Sequence, residues 1–68
     1  PPLPPGLPNS QTTYSICNYW QRLGWDVNGL ANYLAQRWGK PADQVIEAEL
    51  QVILNESMQY LRAKGEQV

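Results

Sequence analysis

The sequence predicts an all-α fold: a small three-helix bundle with a disordered, proline-rich N-terminal linker. Two observations carry this. After Ser10, apolar residues recur at three- and four-residue steps over three successive stretches, the period of helices with one buried face. Helix-ending residues separate the stretches: Gly24, then Gly39 with Pro41, then Gly65. A third observation excludes the alternative, since no alternating run of four or more residues lies between turn residues, as a strand would require.

Five of the six prolines fall in the first eight residues, PPLPPGLP. Proline fixes φ and lacks an amide donor, so this stretch is neither helix nor central strand. It reads as a linker over residues 1–9, the end of an interdomain connection, with the chain a piece of a longer protein. The pairs Pro1/Pro4, Pro2/Pro5 and Pro5/Pro8 also have the PxxP spacing of SH3-type ligands, although no Arg or Lys flanks them. The folded domain is expected over residues 10–65, with helices at about 11–23, 27–38 and 43–64 and a frayed tail at 66–68.

The first helix has Asn9 or Ser10 as N-cap and an apolar stripe of Ile16, Tyr19 or Trp20, and Leu23. Gly24 sits where a left-handed residue closes a helix, and that geometry lays Trp25 back on Trp20. Asp26 is placed to cap the second helix, whose stripe of Val27, Leu30, Ala31, Leu34 and Trp38 is the most regular in the chain. Gly39 and Pro41 stop it. The third helix is expected to line the core with Ile46, Leu50, Ile53, Leu54 and Leu61, with Val45 or Met58 filling in. A turn around Ala42–Val45 is expected to separate it from Pro41. Asp43, Glu47, Glu49 and Glu56 precede Arg62 and Lys64, the order the helix dipole favours.

Composition limits the chemistry. There is no His and Cys17 is the only cysteine, so intrachain disulfides and the usual zinc sites fail on inventory. Cys17 has no His to act as its base and reads as a small packed group beside Ile16. The acids of the third helix read as solvated cap and dipole residues, and GKPAD lacks the glycines and hydroxyl of a phosphate loop. No catalytic residue, cofactor or metal is expected. No apolar run approaches the roughly 20 residues that span a bilayer, and the chain reads as cytoplasmic. With five basic and six acidic residues the net charge is −1, too little to drive non-specific nucleic-acid binding. Three Trp and four Tyr in 68 residues is a heavy aromatic load for such a chain. Trp20, Trp25 and Trp38 are expected in the core, leaving Tyr14, Tyr33 and Tyr60 as surface anchors.

Three stretches, LGWD at Leu23–Asp26, LANYLAQRWGK at Leu30–Lys40 and IEAELQVIL at Ile46–Leu54, form one pattern. It resembles a short helical module at the C-terminal end of bacterial and phage single-strand annealing (Rad52/RecT-like) recombination proteins, which often follows a Pro- or Gln-rich linker. The resemblance covers roughly residues 16–54 and departs in a longer third helix and the lack of a lysine-rich surface. It implies an accessory module whose parent carries the annealing chemistry in another domain. Leu23, Gly24, Trp25, Gly39, Lys40, Glu49 and Leu50 match, and Asp26 and Trp38 complete the structural motif. Of the matched residues, only Lys40 is expected to be exposed enough for direct contact.

The function expected from all this is a non-catalytic interaction domain of a larger protein acting in DNA recombination or repair, with a protein partner. The alternatives are a weak DNA-binding module and a helical dimerisation domain seamed by Val52 and Tyr60. A monomer is slightly favoured over a homodimer. Contacts are expected at Arg22, Arg37 and Lys40, which give residues 10–40 a local charge of +2 against Asp26, and at Tyr33 and Tyr60.

Overall fold

The computed structural model describes residues 2–68; Pro1, and with it the Pro1/Pro4 pair, lies outside the described residues. Three α-helices follow one another, α1 (Gln11–Leu23), α2 (Leu30–Trp38) and α3 (Glu47–Ala63), with 3-10 turns at Val27–Gly29 and Ala42–Gln44. No strand occurs among the described residues. The all-α three-helix bundle is therefore the fold.

α1 starts at Ser10, whose Oγ accepts from the Thr13 N–H at 3.2 Å. It ends in the expected left-handed turn: Gly24 has φ +81°, its N–H donates to the Gln21 carbonyl at 3.0 Å, and the Trp25 N–H donates to the Trp20 carbonyl at 2.9 Å. The Trp25 ring consequently meets Trp20 edge-on, with centroids 5.3 Å apart.

α2 begins three residues later than expected. Asp26 does act as a cap, accepting from the Asn28 N–H at 2.9 Å, but it caps the 3-10 turn. Asn28 and Gly29 are both poor helix formers, and the tighter turn consumes them before α2 opens at Leu30. Gly39, at φ +70°, closes α2 as the sequence suggested.

The start of α3 also differs. Val45 and Ile46 are extended, so the regular helix begins at Glu47 and not at residue 43. Successive side chains of an extended pair point in opposite directions, so only one can face inward. Val45 does, at 5% exposure, while Ile46 stands 57% exposed and leaves the core line expected for it. Ile46 cannot accept a capping bond. Glu49 supplies the other half, its Oε1 accepting from the Ile46 N–H at 3.1 Å.

α1 lies along α3, and α2, flanked by the two 3-10 turns, packs into the same core through the fully buried Leu30 and Leu34. Ile16, Trp20, Leu30, Leu34, Leu50 and Ile53 make the centre of the core. The aromatic expectation needs correction: Trp20 is buried and Trp38 half-buried, but Trp25 is 39% exposed. Ser57 is buried inside α3 and satisfies its hydroxyl by donating to the Ile53 carbonyl at 2.9 Å.

Both ends of the chain depart from the linker-and-tail expectation. Leu3 and Leu7 pack against the core, and Leu3 lies beside Tyr14, Cys17 and Val27. Apolar area outweighs proline stiffness here, because a polyproline-like arm still presents its leucines to whatever it lies on. At the other end the Glu66 N–H donates to the Leu61 carbonyl at 3.0 Å, and Arg22 donates to the Gln67 carbonyl. Removing residues 1–9 should therefore cost roughly 1–2 kcal/mol for two partly buried leucines. In a domain this small that lowers Tm by roughly 5–15 °C. Thermal melts of the full and shortened chains check this, and unchanged melting would mean that the arm contributes nothing to the core.

Candidate functional site

A slot opens between α1, α3 and the Tyr33 side of α2. Its volume is about 310 Å³. Trp20 from α1, with Ile53 and Ser57 from α3, forms the floor; Trp25, Tyr33 and Tyr60 form the walls, and Glu56 lies at the rim. Residues 53, 57 and 60 are one face of α3 by their spacing of four and three. The left-handed turn at Gly24 carries Trp25 across to meet that face.

The rings make a continuous edge-to-face chain. Trp20 stands 5.6 Å from Tyr33, and Trp25 stands 5.2 Å from Tyr60, with the Trp20–Trp25 contact joining the two pairs. Such pairs add about 0.5–1.5 kcal/mol each beyond the area they bury, so each ring helps to fix its neighbour. Three of them remain open to solvent, Trp25 at 39%, Tyr33 at 40% and Tyr60 at 57% exposure.

A fork-to-fork ion pair bridges α2 and α3 beside the slot. Arg37 donates from Nη1 to Glu56 Oε1 and from Nη2 to Oε2, both at 2.8 Å, and from Nη1 to the Tyr33 hydroxyl at 3.3 Å. Its guanidinium also lies over the Trp38 ring, 5.2 Å from the centroid. The hydrogen bonds from Arg37 hold the Glu56 carboxyl below the usual range, and those to Glu56 and Tyr33 push the guanidinium further up.

Of the five contact residues read from the sequence, Tyr33, Arg37 and Tyr60 come together here, and Arg22 and Lys40 do not. Arg22 faces the C-terminal tail, 3.6 Å from Glu66. Lys40 pairs with Glu49 at 2.8 Å and ties the end of α2 to the start of α3. Each of the three cations expected to contact DNA is thus matched by a carboxylate within the chain. Lys40, expected to be free for contact, is half-buried.

The motif residues are largely occupied with the fold. Leu23 and Leu50 are core, Gly24 and Gly39 are left-handed closures, Asp26 caps a turn, and Trp38 packs on the core beneath Arg37. Only Trp25 also reaches the slot. Sequence reasoning missed Ile53, Glu56 and Ser57 as site residues. The signal available was their place on the same face as Tyr60.

Outside the slot, Cys17 is buried, and desolvation raises its thiol pKa. No group of metal-ligating side chains is present among the described residues, and no helix there is long and apolar enough to cross a membrane. Neither family models nor comparisons with known sequences and solved structures give a match for this chain.

Three carboxyls give the fold a pH dependence of definite sign. Thr12 and Gln51 donate to Glu47, Lys40 and the Ile46 N–H donate to Glu49, and Arg37 donates to Glu56, lowering all three pKa values. A carboxyl with a depressed folded pKa stabilises fully above its unfolded value, about 4.3 for Glu, and less as pH falls through the folded value. Circular-dichroism melts should show a constant Tm from about pH 8 to 6 and a falling one below about pH 4.5. Glu56→Gln should shrink the acid-side fall. The exposure of these pairs keeps the effect modest. A Tm that rises on acidification would contradict the assignment.

Proposed function

We propose that this domain is a non-catalytic interaction module that presents its aromatic slot to an uncharged apolar segment of a protein partner. The observation that supports this is the trio of half-exposed rings, Trp25, Tyr33 and Tyr60, set around a preformed recess while the neighbouring charges neutralise each other. Rigid, partly exposed Trp and Tyr provide contact area at little entropic cost and are the residues most enriched at binding hot spots. A small domain that leaves these rings open gives up burial it needs for its own stability. A partner recovers that area.

The setting we propose is an accessory role within a larger protein of DNA recombination or repair, as the resemblance to the single-strand annealing module implies. Tethering to such a protein raises the effective concentration of the module, so weak contacts suffice. Direct DNA binding is the less favoured reading. Its three cations sit in three separate ion pairs, and phosphate binding would have to compete with Glu66, Glu56 and Glu49.

A fluorescence-anisotropy titration with single-stranded oligonucleotide at low and at physiological salt, about 0.15 M, separates the readings. No binding at physiological salt and little at low salt is the expected result. Saturable binding that persists at physiological salt and is lost on joint replacement of Arg22, Arg37 and Lys40 by Glu would overturn the protein-partner reading.

A further inference from the structure

The N-terminal arm and the aromatic slot draw on the same three elements. Leu3 lines a hollow with Tyr14 and Cys17 of α1 and with Val27 of the connection to α2. Gly6, at φ +84°, turns the arm beside α2, where a Cβ placed on it would lie 3.9 Å from the Ala31 Cβ. The slot takes Trp20 from α1, Trp25 from the connection and Tyr33 from α2. No residue lines both hollows. Ala31 and Tyr33 are two positions apart on α2 and so lie on opposite faces of it. The arm's two leucines also pack against the core cluster that contains Trp20 and Ile53, the floor of the slot.

Apolar contact alone keeps the arm in place. Pro2, Pro4, Pro5 and Pro8 have no amide donor, and among the described residues no backbone hydrogen bond joins the arm to a helix. A segment held by a few apolar contacts and no ladder of hydrogen bonds opens locally, without the rest of the fold. Two half-buried leucines leave it released in roughly 3–15% of molecules. The two ends of α2 are fastened differently. Ion pairs from Arg37 and Lys40 to α3 hold its C-terminal end. At its N-terminal end the arm lies against Val27 and Ala31, next to the buried Leu30.

We infer that the N-terminal arm is a releasable brace that governs the slot: seated across α1, the connection and α2, it keeps Tyr33 against Trp20, and its release loosens that wall. This rests on the reading of the slot as the docking surface and names what regulates it.

The test compares the full chain with its Leu3→Ser/Leu7→Ser variant, well below either melting temperature. Labelling of Cys17 by a thiol-reactive disulfide reagent reports release, because this thiol is buried and lines the hollow with Leu3. NOESY cross-peaks report the slot. Labelling should speed up about fivefold or more as the arm passes from mostly seated to mostly released. The Trp20–Tyr33 cross-peak, which crosses from α1 to α2, should be lost. The Trp20–Trp25 cross-peak should remain, because the Gly24 turn holds it locally, as should the α1–α3 cross-peaks of Ile16 and Ile53. Gly6→Ala strains the turn of the arm but keeps both leucines, and serves as the second variant should the first fold poorly. Labelling that stays unchanged in the folded variants overturns the inference, as does faster labelling with an undiminished Trp20–Tyr33 cross-peak. Loss of the Ile16 and Ile53 cross-peaks together with Trp20–Tyr33 also overturns it, since the bundle would then loosen as one unit. No partner enters the measurement, so its failure leaves the docking reading standing.

Discussion

The bond from the Trp25 N–H to the Trp20 carbonyl is the constraint on which the arrangement depends. It closes α1 through a left-handed Gly24, a conformation in which any residue with a Cβ is strained. Two results follow from one turn. The chain reverses sharply enough for Asp26 to start a new helical segment at once, and the two indoles are set edge to face. Trp20 then acts as a hub, buried among core residues on one side and touching Trp25 and Tyr33 on the other.

That hub explains why a domain this small has a recess at all. Gly39 and the Val45–Ile46 extension give α2 and α3 their separate directions, and the Lys40–Glu49 and Arg37–Glu56 pairs hold the two helices where they meet. Closer packing of α2 on α3 would bury Tyr33 and Tyr60 and remove the slot. The N-terminal arm offsets part of the missing burial by laying Leu3 and Leu7 on the core. Stability and an open aromatic face are thus drawn from different parts of one short chain.

The sequence made legible whatever local stereochemistry decides. The Ser10 cap, the Gly24 and Gly39 closures and the Trp20–Trp25 contact follow from rules that act within about six residues. Other features depend on tertiary context. That Val45 and not Ile46 turns inward follows from a two-residue extension that a helical stripe conceals. That Trp25 is a wall rather than core, although its neighbour Trp20 is buried, depends on where α3 sets Tyr60 against it. The ion pairs of Arg22, Arg37 and Lys40 join residues from 9 to 44 positions apart, beyond the reach of any local pattern. Tyr33 and Tyr60 were legible as exposed anchors, but their convergence on one slot was not, since it requires the helix directions.

The central claim is that the slot exists before any ligand arrives, built by the Gly24 turn and the ring chain. A NOESY spectrum of the free protein tests it most directly. With ring centroids 5.2–5.6 Å apart, cross-peaks should link Trp20 to Trp25, Trp20 to Tyr33 and Trp25 to Tyr60 without any partner present. A spectrum that keeps the helix-to-helix contacts of Ile16 and Ile53 but lacks the Trp25–Tyr60 and Trp20–Tyr33 cross-peaks would contradict it.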